Sequence, residues 1–222
     1  MKYSTVIIFL FCLFPISSLL QEQPVDHNVF YKQANAYYEL DEPTNETDSL
    51  AIVHYKKTIA VVSNKPAFVS ILIDCHIKAG NIYQGQQRYQ ESVPFYHTAL
   101  QLAKRSNDTA YLYQAALYLG SARYSISEID SARFYFEYAS RLAGTKTDLV
   151  DLPILYNSLG IIYFEAANYR QAINYFQLAS DHLSPTDESY HESLVSFRNN
   201  IAGCYSRLGE YNEALQRYRS LL

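Results

Sequence analysis

The residues most able to do chemistry are six histidines, and their spacing fits neither a metal site nor a catalytic base. They are His27, His54, His76, His97, His182 and His191. No two of them form the H-x-x-x-H or H-E-x-x-H pair that holds zinc on one helix face, and the chain contains no Cys-x-x-Cys. We therefore expect the histidines to pack within the fold or to face solvent, and we expect no metal ion.

Glycines and carboxylates give no catalytic pattern either. None of the seven glycines forms a G-x-G-x-x-G or a phosphate-binding loop. The acidic pairs Asp41-Glu42 and Asp187-Glu188 lie in predicted loops or at helix starts, where a negative charge is favoured by the positive end of the helix dipole. The sequence predicts a protein that is not an enzyme and that holds no cofactor.

A pattern of small and aromatic residues returns along the chain and indicates the elements that organise it. One copy reads Leu159-Gly160-x-x-Tyr163, then Tyr169-x-x-Ala172-x-x-x-Phe176-x-x-Ala179. The small residue near the start of each copy, here called the anchor residue, is Gly80, Gly120, Gly160 or Ala202, at spacings of 40, 40 and 42. An outlying first copy runs through Ala34, Tyr37, Ala51, Tyr55 and Thr58. Small residues let two helices approach closely while Tyr or Phe fills the gaps, so the pattern predicts stacked helical hairpins.

This pattern resembles the tetratricopeptide repeat, over roughly Tyr31 to Leu222. The resemblance implies an all-α, right-handed superhelical solenoid of antiparallel helix pairs, with repeats of about 40 residues. The predicted repeats are about 66–104, 107–143, 148–182 and 186–222, after a degenerate repeat at about 28–62. The usual period is about 34 residues, so each copy has longer helices or loops. The tryptophan expected near each start is replaced by His76, Ala116, Tyr156 and Arg198.

Polar breaks that supply helix caps separate the copies and predict the helix bounds. First helices are expected at roughly 66–86, 109–126, 149–166 and 187–208, and second helices at roughly 89–104, 129–143, 169–182 and 210–222. Pro94 lies within one of these second helices, where it lacks an N–H. We expect that helix to start late or to kink.

Residues 1–20 have the character of an export signal. Lys2 precedes the apolar run from Val6 to Phe14, which is shorter than the roughly 20 residues of a membrane span. We expect an exported, periplasmic or extracytoplasmic protein with a mature domain at 21–222 that does not insert into a membrane. An uncleaved N-terminal membrane anchor is the alternative, and lipidation at Cys12 is disfavoured by the bulky Phe11 before it.

Charge and cysteine content limit the partners. The chain has 18 Lys and Arg against 22 Asp and Glu, a net charge of −4. Without excess positive charge, binding to nucleic acid gains little from counterion release, and we expect no nucleic-acid partner. Cys75 and Cys204 lie three repeats apart, too far for a disulfide, and are expected to be small buried groups.

In tetratricopeptide proteins the first helices line a concave groove, which the resemblance makes the expected binding surface. Positions counted from the anchor residues predict a peptide-binding groove formed by Ile77, Asn81, Leu117, Tyr118, Tyr124, Asn157, Ile161, Phe164 and Asn199. Amides can pair with a peptide backbone, and rings give an apolar floor. The Lys and Arg residues that grip a terminal carboxylate in some members are absent at these positions. Alternatively, Tyr124 and Phe164 simply seal the hairpins.

The sequence thus favours an exported, non-catalytic scaffold that binds a protein or peptide. By resemblance it is similar to the exported sensor regions of bacterial signalling proteins, and a structural or assembly factor of the cell envelope is the alternative. No polar capping helix follows the last copy, so we also expect either a longer natural chain or self-association through Ile201, Tyr205, Tyr218, Leu221 and Leu222.

Overall fold

The computed structural model describes residues 27–144, 151–186 and 188–219, and within them the chain contains ten α-helices and no strand. The helices are α1 His27–Tyr38, α2 Asn45–Val62, α3 Val69–Gly85, α4 Tyr89–Ser106, α5 Thr109–Ser125, α6 Ile129–Ala143, α7 Leu152–Glu165, α8 Tyr169–Asp181, α9 Tyr190–Arg207 and α10 Tyr211–Arg219. They pair as the hairpins α1–α2, α3–α4, α5–α6, α7–α8 and α9–α10, and each second helix also packs on the first helix of the next hairpin. The expected all-α helical repeat solenoid is confirmed.

Helices α3 to α10 begin and end within roughly three residues of the predicted bounds. The late start predicted for α4 is wrong, because this helix begins at Tyr89, in register with α6 at Ile129 and α8 at Tyr169. The predicted signal segment 1–20, with Cys12, and the terminal Leu221 and Leu222 lie outside the described residues. None of the helices in the described ranges combines the length and apolar character that a membrane span requires.

Each of the four hairpins from α3 to α10 turns through the same backbone conformation. Seven residues after the anchor residue, φ is positive: 59° at Gln87, 63° at Ser127, 57° at Ala167 and 77° at Gly209. The next N–H donates to the carbonyl five residues earlier, as Asn168 does to Tyr163 at 2.9 Å. This is the bond of a Schellman motif, which satisfies a carbonyl that the helix end leaves free.

Close contact between a glycine and a ring holds three of these hairpins together. Sixteen residues after each anchor residue stands an aromatic residue, here called the ring residue: Tyr96, Phe136, Phe176 and Tyr218. An added Cβ at Gly160 would lie 2.5 Å from Phe176, and one at Gly80 would lie 2.6 Å from Tyr96. Such distances are below van der Waals contact, so only glycine fits against the ring.

A stack of rings occupies the place of the missing tryptophan in several hairpins. Tyr156 and Tyr163 both stack on Tyr175, with ring centroids 6.5 and 5.3 Å apart. In α3–α4 the same positions hold His76 and Tyr83, on either side of Phe95 at 5.8 and 5.3 Å. In these two hairpins a smaller ring thus takes the position of the expected tryptophan and packs against an aromatic residue of the second helix.

Small residues of the second helices make the contact to the following hairpin. Ala99 is fully buried in one cluster with Leu112 and Ala115. Cys75 and Cys204 are both buried with free thiols, which confirms the prediction that they serve as small buried groups. Burial raises the pKa of the Cys75 thiol to about 12 and that of Cys204 to about 11, so neither is a reactive thiolate at neutral pH.

Candidate functional site

The first helices of successive hairpins exchange hydrogen bonds between their side chains. These bonds span 37 to 43 residues, about one hairpin, and join Tyr31 to Asp74, Lys78 to Asn35, Asn81 to Tyr38, Gln84 to Ser121, Tyr124 to Glu165 and Asn200 to Asn157. We call the surface formed by α1, α3, α5, α7 and α9 the first-helix face. Hydrogen bonds between its polar side chains join neighbouring first helices, so the surface is ordered before any ligand binds.

At the N-terminal end of the first-helix face, the polar side chains are hydrogen-bonded to one another. The Asn81 amide donates to the Tyr38 hydroxyl at 3.0 Å and accepts from the Tyr96 hydroxyl at 2.8 Å. Lys78 donates to Asn35 at 2.9 Å and lies 3.3 Å from the Asp74 carboxylate. These groups use their hydrogen-bonding capacity within the protein.

A cavity of about 450 Å³, here called the N-terminal pocket, opens between α3 and α5. Its lining is largely polar and aromatic, from Asn81, Gln84, Gly85, Tyr89, Tyr96, Tyr118 and Ser125. The Gln84 amide nitrogen donates to Ser121 at 3.1 Å, which ties the two helices that bound the pocket.

In the middle of the face, tyrosines donate to carboxylates of the next hairpin. The Tyr118 hydroxyl donates to Asp151 at 3.3 Å, and that of Tyr124 donates to Glu165 at 2.7 Å. Burial, and then the bond to the carboxylate, raise the pKa of Tyr124 to about 12, so this hydroxyl stays a donor. Tyr124 thus bridges α5 and α7.

A second cavity, of about 330 Å³ and here called the C-terminal pocket, opens between α7 and α9. Its lining residues are Ile161, Phe164, Glu165, Phe176, Asn199, Asn200, Gly203 and Tyr218. Three of them are apolar side chains that form a wall, and the two asparagines and the tyrosine hydroxyl give a polar edge.

The ring residues and the residue after each anchor residue follow one pairing rule. In α3–α4 the Tyr96 hydroxyl donates to Asn81 at 2.8 Å. In α1–α2, where Ala34 and Tyr55 take the corresponding places of the outlying first copy, the Tyr55 hydroxyl donates to Asn35 at 2.8 Å. Where the ring residue is Phe136 or Phe176, the partner position holds Ser121 or Ile161 instead. A buried tyrosine hydroxyl needs an acceptor, whereas phenylalanine needs none.

Seven of the nine predicted groove residues lie on the first-helix face and two do not. Ile77 and Leu117 are only 2 % and 1 % exposed, packed in the core with Leu112 and with Leu155 respectively, so their assignment to an accessible groove is wrong. At the same position of later hairpins Asn157 is half-buried and Asn199 is exposed. Tyr118, Tyr124 and Asn157 make the bonds described above. The structure brings Ile161, Phe164 and Asn199 together in the C-terminal pocket, and Asn81 and Tyr118 in the N-terminal pocket.

Glu165 and Tyr218 line the C-terminal pocket although neither is among the predicted groove residues. Glu165 lies five residues after its anchor residue, beyond the counted positions, and Tyr218 belongs to a second helix. The pairing rule would have singled out Tyr218, because Gly203 leaves its hydroxyl without the asparagine found in the first two hairpins. Ile201, expected at an open end face, is buried against Phe176 and is not accessible.

Two histidines have a structural role rather than a chemical one. His54 and His76 are half-buried beside aromatic rings, and the Nδ1 atom of each lies buried without a hydrogen-bond partner among the described residues. Burial lowers the pKa of His76 to about 4 and also lowers that of His54. Both side chains are therefore neutral at pH 7. In the described ranges no three His, Cys, Asp or Glu side chains cluster as metal ligands would.

Two family models of the tetratricopeptide repeat match the sequence, one over residues 151–222 and the other over residues 76–110. With the stacked helical hairpins described above, these matches identify the chain as a tetratricopeptide repeat protein. No curated protein matches the sequence significantly.

Solved structures of tetratricopeptide proteins share the architecture. A structure of MamA is 18 % identical, with a TM-score of 0.65, and the match covers 88 % of this chain and 90 % of that one. A Podosopora anserina putative kinesin light chain with nearly identical TPR-like repeats is 14 % identical, with a TM-score of 0.65, over 90 % and 95 % of the two chains. The apo form of RapI is 13 % identical with a TM-score of 0.70, over 91 % of this chain but 54 % of that one. At these identities the likeness concerns the fold alone.

Proposed function

We propose that this chain is a non-catalytic scaffold that binds a protein or peptide along its first-helix face. The tetratricopeptide fold, typically an interaction scaffold, supports protein partners. The observation that carries the proposal is the pair of cavities, of about 450 and 330 Å³, that open between neighbouring first helices. Amides there can bond to the backbone of an extended segment whatever its sequence, and the rings can cover its side chains.

Binding would use a surface that is already ordered. The hydrogen bonds between first helices, such as Tyr124 to Glu165 at 2.7 Å, hold the walls of both pockets in place. Binding then costs conformational entropy of the ligand but little of the protein, and this improves the affinity for a given contact area. Specificity would come from the differences between the pockets along the array.

The proposal extends to cellular location. We propose that residues 1–20 direct export and that the chain is the extracytoplasmic sensor portion of a bacterial signalling protein. Support comes from Lys2 followed by the apolar run Val6 to Phe14, and from the resemblance stated above. Fusion of residues 1–30 to alkaline phosphatase, an enzyme active only outside the reducing cytoplasm, tests export. An inactive fusion confined to the cytoplasm would contradict it.

Panning the purified chain against a displayed library of random peptides tests the binding function. We expect binders whose affinity does not change when their C-terminus is amidated, because the face lacks the cations of a carboxylate clamp. Failure to recover any saturable binder would overturn the proposed function. Recovery of a stable, stoichiometric complex with another envelope protein in a pull-down would instead favour the assembly role.

A further inference from the structure

The two pockets of the first-helix face differ in how accessible their unpaired hydrogen-bonding groups are to a ligand. In the N-terminal pocket, Asn81 is bonded on both sides, to Tyr38 and Tyr96, and the Gln84 amide nitrogen is bonded to Ser121, while the Gln84 Oε1 atom is buried without a partner among the described residues. In the C-terminal pocket, neither the exposed Asn199 amide nor the Tyr218 hydroxyl has a partner within residues 27–144, 151–186 and 188–219. A ligand that displaces water from the C-terminal pocket can therefore replace those hydrogen bonds without breaking internal ones.

The wall of the C-terminal pocket selects an apolar group. Ile161, Phe164 and Phe176 line it, and the volume of about 330 Å³ is at the small end for ligand sites, enough for one large side chain and its adjoining backbone. The Arg207 guanidinium carbon lies 5.9 Å from the Phe164 ring centroid, where its charge is engaged with that ring. The floor of the pocket is thus apolar and its edge is amide and hydroxyl.

One formal charge lies in the lining itself, on Glu165. Its carboxylate accepts one hydrogen bond, from Tyr124, and its exposed position leaves other lone pairs accessible. A cation beside the apolar group of the ligand would pair with this carboxylate, whereas an anion would be repelled. The pairing is exposed to solvent, so its effect on affinity is smaller than that of the apolar group.

Resting on the proposed function, we infer that the C-terminal pocket is the specificity pocket of the array, and that its occupant is an extended peptide with one large apolar side chain next to a lysine or arginine. The apolar side chain lies against Ile161, Phe164 and Phe176. Asn199 and Tyr218 bond the peptide backbone, and Glu165 pairs with the basic residue.

The panned peptides, resynthesised with a fluorescent label, test the inference through their anisotropy on binding. An added Cβ at Gly203 has room, 3.9 Å from the Tyr218 hydroxyl, so Gly203→Leu fills the pocket without forcing the helix apart. We expect at least a tenfold loss of affinity in this variant. The matched control is Gly144→Leu at the exposed end of α6, which should stay within about twofold, and circular dichroism should show unchanged helix content in both. Glu165→Gln should weaken binding only about two- to fivefold, and only for peptides with the basic residue.

The outcomes separate the inference from the function on which it rests. Binders that carry an apolar–basic pair and are lost in Gly203→Leu support both. Binders without such a pair, or binders unaffected by Gly203→Leu, overturn the inference but leave the scaffold function standing. No binders at all overturn the scaffold function together with the inference.

Discussion

In the three hairpins from α3 to α8 a ring packs directly against a glycine, whereas in the last hairpin, α9–α10, the anchor residue is Ala202 and the ring residue is more exposed. Phe176 is 1 % exposed and Tyr218 is 39 % exposed. At the position that the three inner hairpins fill with glycine, the last hairpin has Ala202, whose side chain adds a Cβ. The inner hairpins show a closed contact between ring and glycine, and the last hairpin shows the same pattern with a more exposed ring.

The largest effect on stability should come from adding a side chain at the glycine anchor of an inner hairpin. Gly160→Leu places a side chain where even a Cβ would stand 2.5 Å from Phe176. We expect a loss of about 3 kcal/mol in the free energy of unfolding, the upper end of the range for overpacked cores, measured by urea denaturation. Gly203→Ala, with its Cβ 3.9 Å from the nearest side chain, should stabilise the protein by up to about 1 kcal/mol, because alanine is the better helix former. The exposed His97→Ala and His191→Ala should change stability by less than about 0.5 kcal/mol. Equal stability of Gly160→Leu and the wild type would show that the anchor contact is misassigned.

The next effect concerns the ring stacks, which hold histidine in α3–α4 but tyrosine in α7–α8. Burial lowers the pKa of His76 from 6.5 to about 4, so between these values the unfolded chain binds a proton that the folded chain does not. The free energy of unfolding is therefore independent of His76 protonation above about pH 6.5 and decreases as the pH falls from 6.5 towards 4. We expect His76 to account for about 2–3 kcal/mol of the acid destabilisation.

Replacement by the ring type found elsewhere isolates that contribution. Phe30 occupies the same place in α1–α2, so His76→Phe keeps a ring between α3 and α4. Urea denaturation at pH 7 and pH 4.5 should show a smaller difference in stability for His76→Phe than for the wild type. An unchanged difference would mean that His76 is protonated in the folded protein.

The repeat spacing, helix bounds and buried alanines could be predicted because they depend on local periodicity and on residue size. The burial of Ile77 and Leu117 could not be predicted, because the same repeat position holds the exposed Asn199 in the last hairpin. Whether this position is covered depends on how the next hairpin packs. The repeat pattern alone did not place Tyr218 in the pocket, although the pairing rule, once known, singles it out through Gly203. The position of this tyrosine in the repeat matches that of Tyr96, yet Tyr218 is 39 % exposed whereas Tyr96 is buried, and the repeat pattern does not encode that difference.

The pairing of ring residues with asparagine gives a third, smaller effect. Tyr96→Phe removes the donor to Asn81, and we expect a cost of about 1–2 kcal/mol because the partner is left with an unmet acceptor. Asn81→Ile alone should cost a similar amount by orphaning the Tyr96 hydroxyl. The double variant reproduces the Phe176 and Ile161 pair of α7–α8, so its cost should be clearly below the sum of the two. Strict additivity in this double-mutant cycle would contradict the pairing rule.

The smallest effect on stability is expected from substitutions at the positive-φ residues of two hairpin turns. Ala167 adopts φ of 57°, a left-handed conformation that costs an L-residue about 1–2 kcal/mol, while Gly209 meets the same turn at φ of 77° without that penalty. Glycine is more flexible when unfolded, which offsets about 0.4–1 kcal/mol of the gain. We therefore expect Ala167→Gly to stabilise the protein by roughly 0.5–1 kcal/mol and Gly209→Ala to destabilise it by a similar amount, both from urea denaturation. The N–H of the following residue, bonded to Tyr163 in one turn and Tyr205 in the other, is unchanged in either variant, so strain alone is compared. Changes of the same sign in the two variants would show that the left-handed turn does not set their stability.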